Sequence, residues 1–384
     1  TEALKSGWIT TGPRTKQLEK ELSAYCGNKS TVCLNSATAG LELVLRWYGV
    51  KEGDEVIIPS YTYCATANVV EHCGATAVMV DVENDFNISV NAIKKAITPK
   101  TKVIIPVDFS GFPCDYDEIY AVINKKKSLF NPETEEQKQL GRILLLADAA
   151  HSIGAKYKGR MSGSLADISC FSFHAVKNLT TAEVGTISLN LLDLFNHNEL
   201  YRMFCIKSLH GQSKDALAKS QKGAWKYDVI EAGYKCNMTD LQAAIGLVEL
   251  ERYNDILSRR NSIFNQYDTA FSQYEFFELP YSKTKEKESS YHVYALRVKG
   301  VTEAQRDEII QKIFDRDVSV NVHFQPLPLL SYYKNKGYDI KNFPIAHDNF
   351  SREISLPVYY DLDDEKVKVV VDAVIQSVQE VINA

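Results

Sequence analysis

A chain of 384 residues with 45% hydrophobic and 24% charged side chains and a formal net charge of −5 has the make-up of a globular protein, long enough for more than one core. That balance excludes disorder, collagen-like fibre and a coiled coil, and it lacks the basic footprint of a nucleic-acid binder. No run reaches the roughly 18 apolar residues of a membrane helix, and the opening TEALKSGWITTGP has none of the parts of a signal peptide, so the chain reads as cytoplasmic, without membrane or nucleic acid as a partner.

In chain order, residues 15–25 repeat apolar side chains at helical spacing, 31–34 form a short strand, and a helix opens near Thr38. Strands follow at 55–58 and 77–80 around a helix at 65–71, then strands at 103–107 and 143–147, separated by the polar segment 124–142, which reads as a solvated insertion. Strands at 168–173 and 185–189 lead to a helix over 191–208 and a loop rich in Gly, Lys and Ser at 209–225, a candidate lid or interface loop. From Thr239 a long helical pattern with a Thr-Asp start carries the chain out of a first domain; the boundary is set near residue 250, giving a large domain of 1–250 and a small one of 251–384. The small domain has a strand at 292–298, a helix over 302–315 with a capping box from Thr302 and Gln305, an alternating run at 318–324 and a closing amphipathic helix at 363–382. The fold class is α/β, a mostly parallel sheet sandwiched by helices, with a smaller α+β C-terminal domain.

Eight cysteines are scattered singly, with no C-x-x-C pair and no Cys and His spacing that suits zinc. Reduced core thiols are expected, and no metal.

Ligands of open parallel sheets gather beyond the carboxyl ends of the strands. Four such places carry chemistry. Asn35, Ser36, Ala37 and Thr38 follow a strand and open a helix, either a phosphate cradle or a plain N-cap turn. Asp148, before Ala149, Ala150 and His151, ends an apolar strand, so it is partly buried and needs a cation, from a protonated heterocycle or a structural Arg or Lys. Lys177, amid Ser172, Phe173, His174, Ala175 and Val176, is either a surface charge or a desolvated amine able to form a Schiff base. Lys235 and Asn237, where a loop meets the long helix, contact an anion or a partner subunit, or only cap the helix.

In this order the four motifs resemble the pyridoxal phosphate enzymes of the aspartate aminotransferase fold, and more narrowly the DegT/DnrJ/EryC1/StrS family of nucleotide-sugar aminotransferases. The likeness runs from Gly7, Thr11, Gly12 and Pro13 through Gly53-Asp54-Glu55, Asp148-Ala149-Ala150-His151, Phe171-Ser172-Phe173-His174 with Lys177-Asn178, and Met238-Thr239-Asp240-Leu241-Gln242 to Leu356-Pro357. It implies pyridoxal 5′-phosphate as cofactor, Lys177 as the Schiff-base lysine and proton shuttle, Asp148 as the partner of the pyridine nitrogen, and His151 near the cofactor ring. It further implies phosphate or ring contacts from Ser36, Ala37, Thr38, Ser172, His174 and Tyr63, with substrate contacts from Thr11, Glu183, Asn321 and His323. Lys235 and Asn237 fall in the loop that reaches the neighbouring subunit, implying a homodimer with shared active sites.

Three positions depart from the family pattern. Ala182-Glu183-Val184-Gly185 stands where many relatives have Gly-Glu-Gly-Gly, Gly233-Tyr234-Lys235-Cys236-Asn237 where many have Gly-Tyr-Asn-Tyr-Arg, and Leu327 where a second His is frequent. The expected activity is transfer of an amino group from L-glutamate to a nucleotide-linked keto-sugar, with a lean to a 4-keto, UDP-linked sugar, for amino sugars of surface polysaccharides or glycans. Two other readings are a sugar dehydratase on the same fold, which the lysine disfavours because such relatives carry His there, and a non-catalytic regulatory member.

Overall fold

The structure, a computed structural model, describes residues 1–214 and 226–383. Seven strands form the main sheet: β1 (Ser30–Leu34), β2 (Glu55–Pro59), β3 (Thr76–Val80), β4 (Thr101–Ile104), β5 (Leu144–Asp148), β6 (Ile168–Ser172) and β7 (Gly185–Leu189), in spatial order β1-β7-β6-β5-β4-β2-β3. Only β7 runs against the rest, pairing antiparallel with both β1 and β6. The mostly parallel α/β architecture is the one expected.

Helices cover both faces, so the strands are near-continuous apolar runs. In β5, Leu144 and Leu146 pack with Val44 and Tyr48 on one side, while Leu145 and Ala147 pack with Ile119 and Ile123 on the other. Each fully buried Leu contributes about 1.5–3 kcal/mol. The strands β5 and β6 end on polar residues, Asp148 and Ser172.

One of two three-stranded sheets, β8 (Phe277–Glu278), β9 (Tyr294–Val298) and β10 (Glu353–Leu356), is antiparallel with β9 in the middle. It shares a core with the helices Tyr253–Phe271, Glu303–Phe314 and Asp364–Ile382. Leu327, Tyr333, Phe343 and Phe350, late in the chain, pack instead into the core of the main sheet.

Several local expectations need correction. The helix expected over 191–208 is His197–Lys207, because Asn196 caps it by accepting from the amides of Asn198 and Glu199. Segment 124–142 is not merely solvated: Thr134 caps a helix, Glu135–Leu140, whose buried Gln137 donates to the Tyr48 carbonyl at 2.8 Å. The long helix from Thr239 divides at Arg252 into Asp240–Glu251 and Tyr253–Phe271. The alternating run 318–324 is not a strand; one bridge, Asn321 to Ser355, ties it to β10. Of the candidate lid at 209–225, residues 215–225 lie outside the described residues. The eight cysteines are all free thiols, six buried and two, Cys64 and Cys205, half-buried. Among the described residues no helix is long and apolar enough to cross a membrane.

Candidate active site

A cavity of about 510 Å³ opens beyond the carboxyl ends of β5 and β6. It brings together Ser36, Ala37, Thr38, Tyr63, Asp148, His151, Ser172, His174, Lys177, Glu183 and His323, eleven of the residues singled out from sequence.

Asp148, the last residue of β5, is 6% exposed. Its Oδ2 accepts from Thr66 Oγ1 at 2.8 Å and its Oδ1 from the Ala150 amide at 3.2 Å. Among the described residues no cation lies within ion-pair distance of it, and burial raises its pKa, against the pull of those two hydrogen bonds and of Lys177. A buried carboxylate so placed is short of one positive partner.

Lys177 follows β6 in a turn closed by its amide on the His174 carbonyl at 2.9 Å. Burial in the cavity wall lowers its amine to about 8, opposed by Asp148. An amine that is neutral in useful amounts near neutral pH can attack a carbonyl.

The third part is the N-terminus of the helix Ala37–Trp47. Ser36 caps it, its Oγ accepting from the Ala39 amide at 3.1 Å, which leaves the preceding helix amides for an anion. Gly185 of β7 lies directly against this turn: a Cβ there would stand 2.0 Å from the Ala37 nitrogen. Gly185 pairs in register with Leu34 on one side and Ser172 on the other, so the two strand ends flanking the turn are tied through a residue with no side chain.

His151 is buried, and among the described residues its Nδ1 has no hydrogen-bond partner. Burial, then the charge of Lys177, lowers its pKa well below the usual histidine value, so the ring is a neutral base. It lies 4.3 Å from the His292 ring and 5.9 Å from Phe324. Tyr63 stands at the rim, 60% exposed, its ring 5.7 Å from Phe324. His174 Nε2 meets Glu183 at 3.2 Å. Ala182, where relatives often carry glycine, adopts φ +70°, a left-handed conformation that costs an alanine about 1 kcal/mol.

Four expected contacts do not line this cavity. Asn237 Nδ2 donates to Thr11 Oγ1 at 2.6 Å, Thr11 donates to the Met238 carbonyl at 2.5 Å, and Lys235 bonds to Asn237, so these three make a separate cluster. Asn321 spends its side chain on the Val322 amide at 2.8 Å. Conversely, Thr62, Val107, His292 and Phe324 line the cavity and Thr66 holds Asp148, none of them singled out from sequence. Thr66 had a signal, lying just past Tyr63 at the start of the helix Ala65–His72. His292 had only its neighbour's partner: Asn178, next to Lys177, donates to the Ser290 carbonyl at 2.6 Å, turning its Oδ1 to His292 Nδ1 at 2.8 Å.

The residues present fit pyridoxal phosphate on three observations: an uncompensated buried carboxylate, an orphaned buried His151 nitrogen, and an anion cradle that a Cβ at 185 would fill. Comparison with known proteins agrees. SpsC of Bacillus subtilis, a spore coat polysaccharide biosynthesis protein, is 40% identical over 382 residues, covering 97% of this chain and 92% of SpsC. Spr1654 of Streptococcus pneumoniae, a candidate sugar aminotransferase solved in its PMP form, superposes with a TM-score of 0.96 at 48% identity, covering 99% of this chain and 95% of that one; a PLP form of it is also solved. Helicobacter pylori PseC, an aminotransferase of pseudoaminic acid biosynthesis, gives a TM-score of 0.86 at 26% identity, covering 99% and 95% of the two chains. Residues 1–375 match the family profile, and the chain belongs to the DegT/DnrJ/EryC1/StrS aminotransferase family, whose members depend on pyridoxal phosphate.

Proposed function

We propose that this chain holds pyridoxal 5′-phosphate and moves an amino group from L-glutamate to a nucleotide-linked keto-sugar, at the 4-keto carbon of a UDP-linked sugar, in the making of amino sugars for surface polysaccharides or glycans. The observation that carries the reading is the pairing, in one cavity, of an amine lowered to about 8 with a buried carboxylate that lacks a cation. The cofactor, when bound, supplies the electron sink for breaking the bond to the donor's α-hydrogen.

The chain's own residues do the rest. Ser36, Ala37, Thr38 and Ser172 hold the phosphate, and Asp148 keeps the ring nitrogen protonated, itself steadied by Thr66 and Ala150. Lys177 Nζ takes the α-proton and returns it, a task suited to an amine whose pKa lies near ambient pH. His151, neutral and sealed under Phe324 and His292, excludes water from that face. Thr11, Asn237 and Lys235, clustered away from their own cavity, serve the partner's site in a homodimer working in the cytoplasm. The division into domains 1–250 and 251–384 belongs to the same proposal.

Absorbance tests it. Purified protein given pyridoxal phosphate develops a visible band, and L-glutamate replaces it with a near-ultraviolet one. A band that glutamate leaves unchanged refutes the donor or the aminotransfer, and no band refutes the role of Lys177. A band that glutamate shifts, followed by no turnover of any keto-sugar, marks the regulatory reading.

A further inference from the structure

Glu353, the first residue of β10, is fully buried. Charged and titratable groups face it from each neighbouring element: Arg297 from its register partner on β9, Arg306 from the helix Glu303–Phe314, and Tyr61 from the loop after β2. None of them bonds its carboxylate among the described residues. Arg306 turns to the Phe350 and Glu353 carbonyls and to Asp307, Arg297 to Asn349 and Glu278, and Tyr61 donates to the His323 carbonyl at 2.9 Å. The carboxyl group instead has Ser355 Oγ 2.5 Å from Oε1, and the His323 amide donates both to Oε2 and to Ser355 Oγ at 3.1 Å. Ser355 Oγ lies 2.9 Å from His323 Nδ1. The His323 ring lines the cavity, under the charge of Lys177 and close enough to affect His151 and His292, and among the described residues nothing bonds its Nε2.

A serine hydroxyl has one proton, so this chain of three groups runs one way at a time. With the carboxyl protonated, Glu353 donates to Ser355, Ser355 donates to Nδ1, and the ring proton sits on Nε2, a donor facing the cavity. With the carboxylate ionised, Ser355 donates to Oε1, Nδ1–H donates to Ser355, and Nε2 offers a lone pair. Passing from the first state to the second releases one proton: that of the carboxyl moves to Ser355, that of the hydroxyl to Nδ1, and that of Nε2 leaves to the cavity.

We propose that Glu353 and Ser355 are positioning residues that set, through this chain, whether His323 presents a hydrogen-bond donor or an acceptor to the cavity, and so which polar group of the acceptor sugar it orients. The use of that switch rests on the sugar-aminating reading; the switch itself does not. Burial supports it twice, raising Glu353 to about 8 and lowering His323 to about 4, so that above neutral pH the ring changes tautomer rather than charge.

The test is ¹⁵N NMR of the full chain with labelled histidine, the His323 signals identified by their loss in His323→Gln. At about pH 6.5 the proton is expected on Nε2 and at about pH 9.5 on Nδ1, the two values bracketing the Glu353 transition. In Glu353→Gln, an amide oxygen that keeps the native contact with the His323 amide directs its NH₂ to Ser355, so Nε2–H is expected at both pH values. Ser355→Ala breaks the chain and abolishes the pH response, while Ser355→Thr restores it. A wild-type tautomer that ignores pH, or one that switches equally in Glu353→Gln or Ser355→Ala, overturns the proposal. On the holoenzyme, Ser355→Ala is expected to raise KM for the keto-sugar about tenfold while leaving the glutamate-driven spectral change intact, and an unchanged KM overturns the sugar-orienting role. Loss of the visible band would refute the proposed function and leave the tautomer measurement standing.

Discussion

Replacing Gly185 with alanine probes the anion cradle where the backbone leaves no room. The added Cβ would meet the Ala37 nitrogen at 2.0 Å, the Ser36 carbonyl carbon at 2.2 Å and the Ala37 Cα at 2.6 Å, all backbone atoms that no rotamer change can move. Ordinary contact begins near 3.4 Å, so the helix start and β7 must separate by more than an ångström. β7 is held on both edges, by Leu34 and by Ser172, so the displacement spreads into both neighbours. Overpacking of this kind costs about 2–4 kcal/mol in folding. It also carries the helix amides away from the phosphate, and losing one hydrogen bond to a charged group, at about 1.5–3 kcal/mol, raises the Kd for pyridoxal phosphate roughly 10- to 100-fold. Urea unfolding of the apoprotein reads the first effect and titration of the visible band the second. Gly159→Ala is the control, since φ +77° there strains an alanine while, among the described residues, nothing lies within 4 Å of its Cβ; it should cost about 1 kcal/mol and leave cofactor affinity unchanged. Wild-type affinity in Gly185→Ala would refute the placement of the phosphate at this turn.

Two further changes test the strain and the buried charge. Lys177 carries a folded pKa of about 8 against 10.5 for the ordinary amine, so the folded state binds its proton less tightly than the unfolded chain and stability rises as pH climbs from about 8 to 10.5; at pH 7 the penalty is fully present. Lys177→Met should therefore stabilise the apoprotein at pH 7 by up to about 3 kcal/mol in urea unfolding, a gap that closes above about pH 10, and a variant no more stable than wild type at pH 7 would show that the amine is not desolvated. Ala182→Gly, at φ +70°, should gain about 1 kcal/mol in the same assay, and a loss would mean that the alanine methyl makes a contact worth more than the strain.

The parts of the site that were legible in the sequence are those written in local grammar. Asp148 and Ser172 end apolar strands, Ser36 caps a helix behind one, and Lys177 lies in a short turn, so each is displaced from the core by the same rule that fills the core with Val, Ile and Leu. The run 318–324 misled for a related reason. Its side chains alternate between cavity, solvent and core while its backbone pairs with β10 at Asn321 alone, and alternation alone does not distinguish those cases. Segment 124–142 misled because one buried amide, Gln137, outweighs a polar composition when it can satisfy the Tyr48 carbonyl at a helix end.

What stayed hidden is held by pairs far apart in the chain. Thr66 reaches Asp148 across 82 residues, Asn178 reaches His292 across 114, and Glu353 reaches His323 across 30. None of these pairings leaves a period in the sequence, yet each bears on a chemical state: the charge of Asp148, the tautomer of His292, the direction of the chain that ends at His323. The order of the motifs points to the candidate groups for the chemistry. The protonation in which they do it is set by the second member of each pair, and a single sequence exposes that member only once the fold has brought the two ends together.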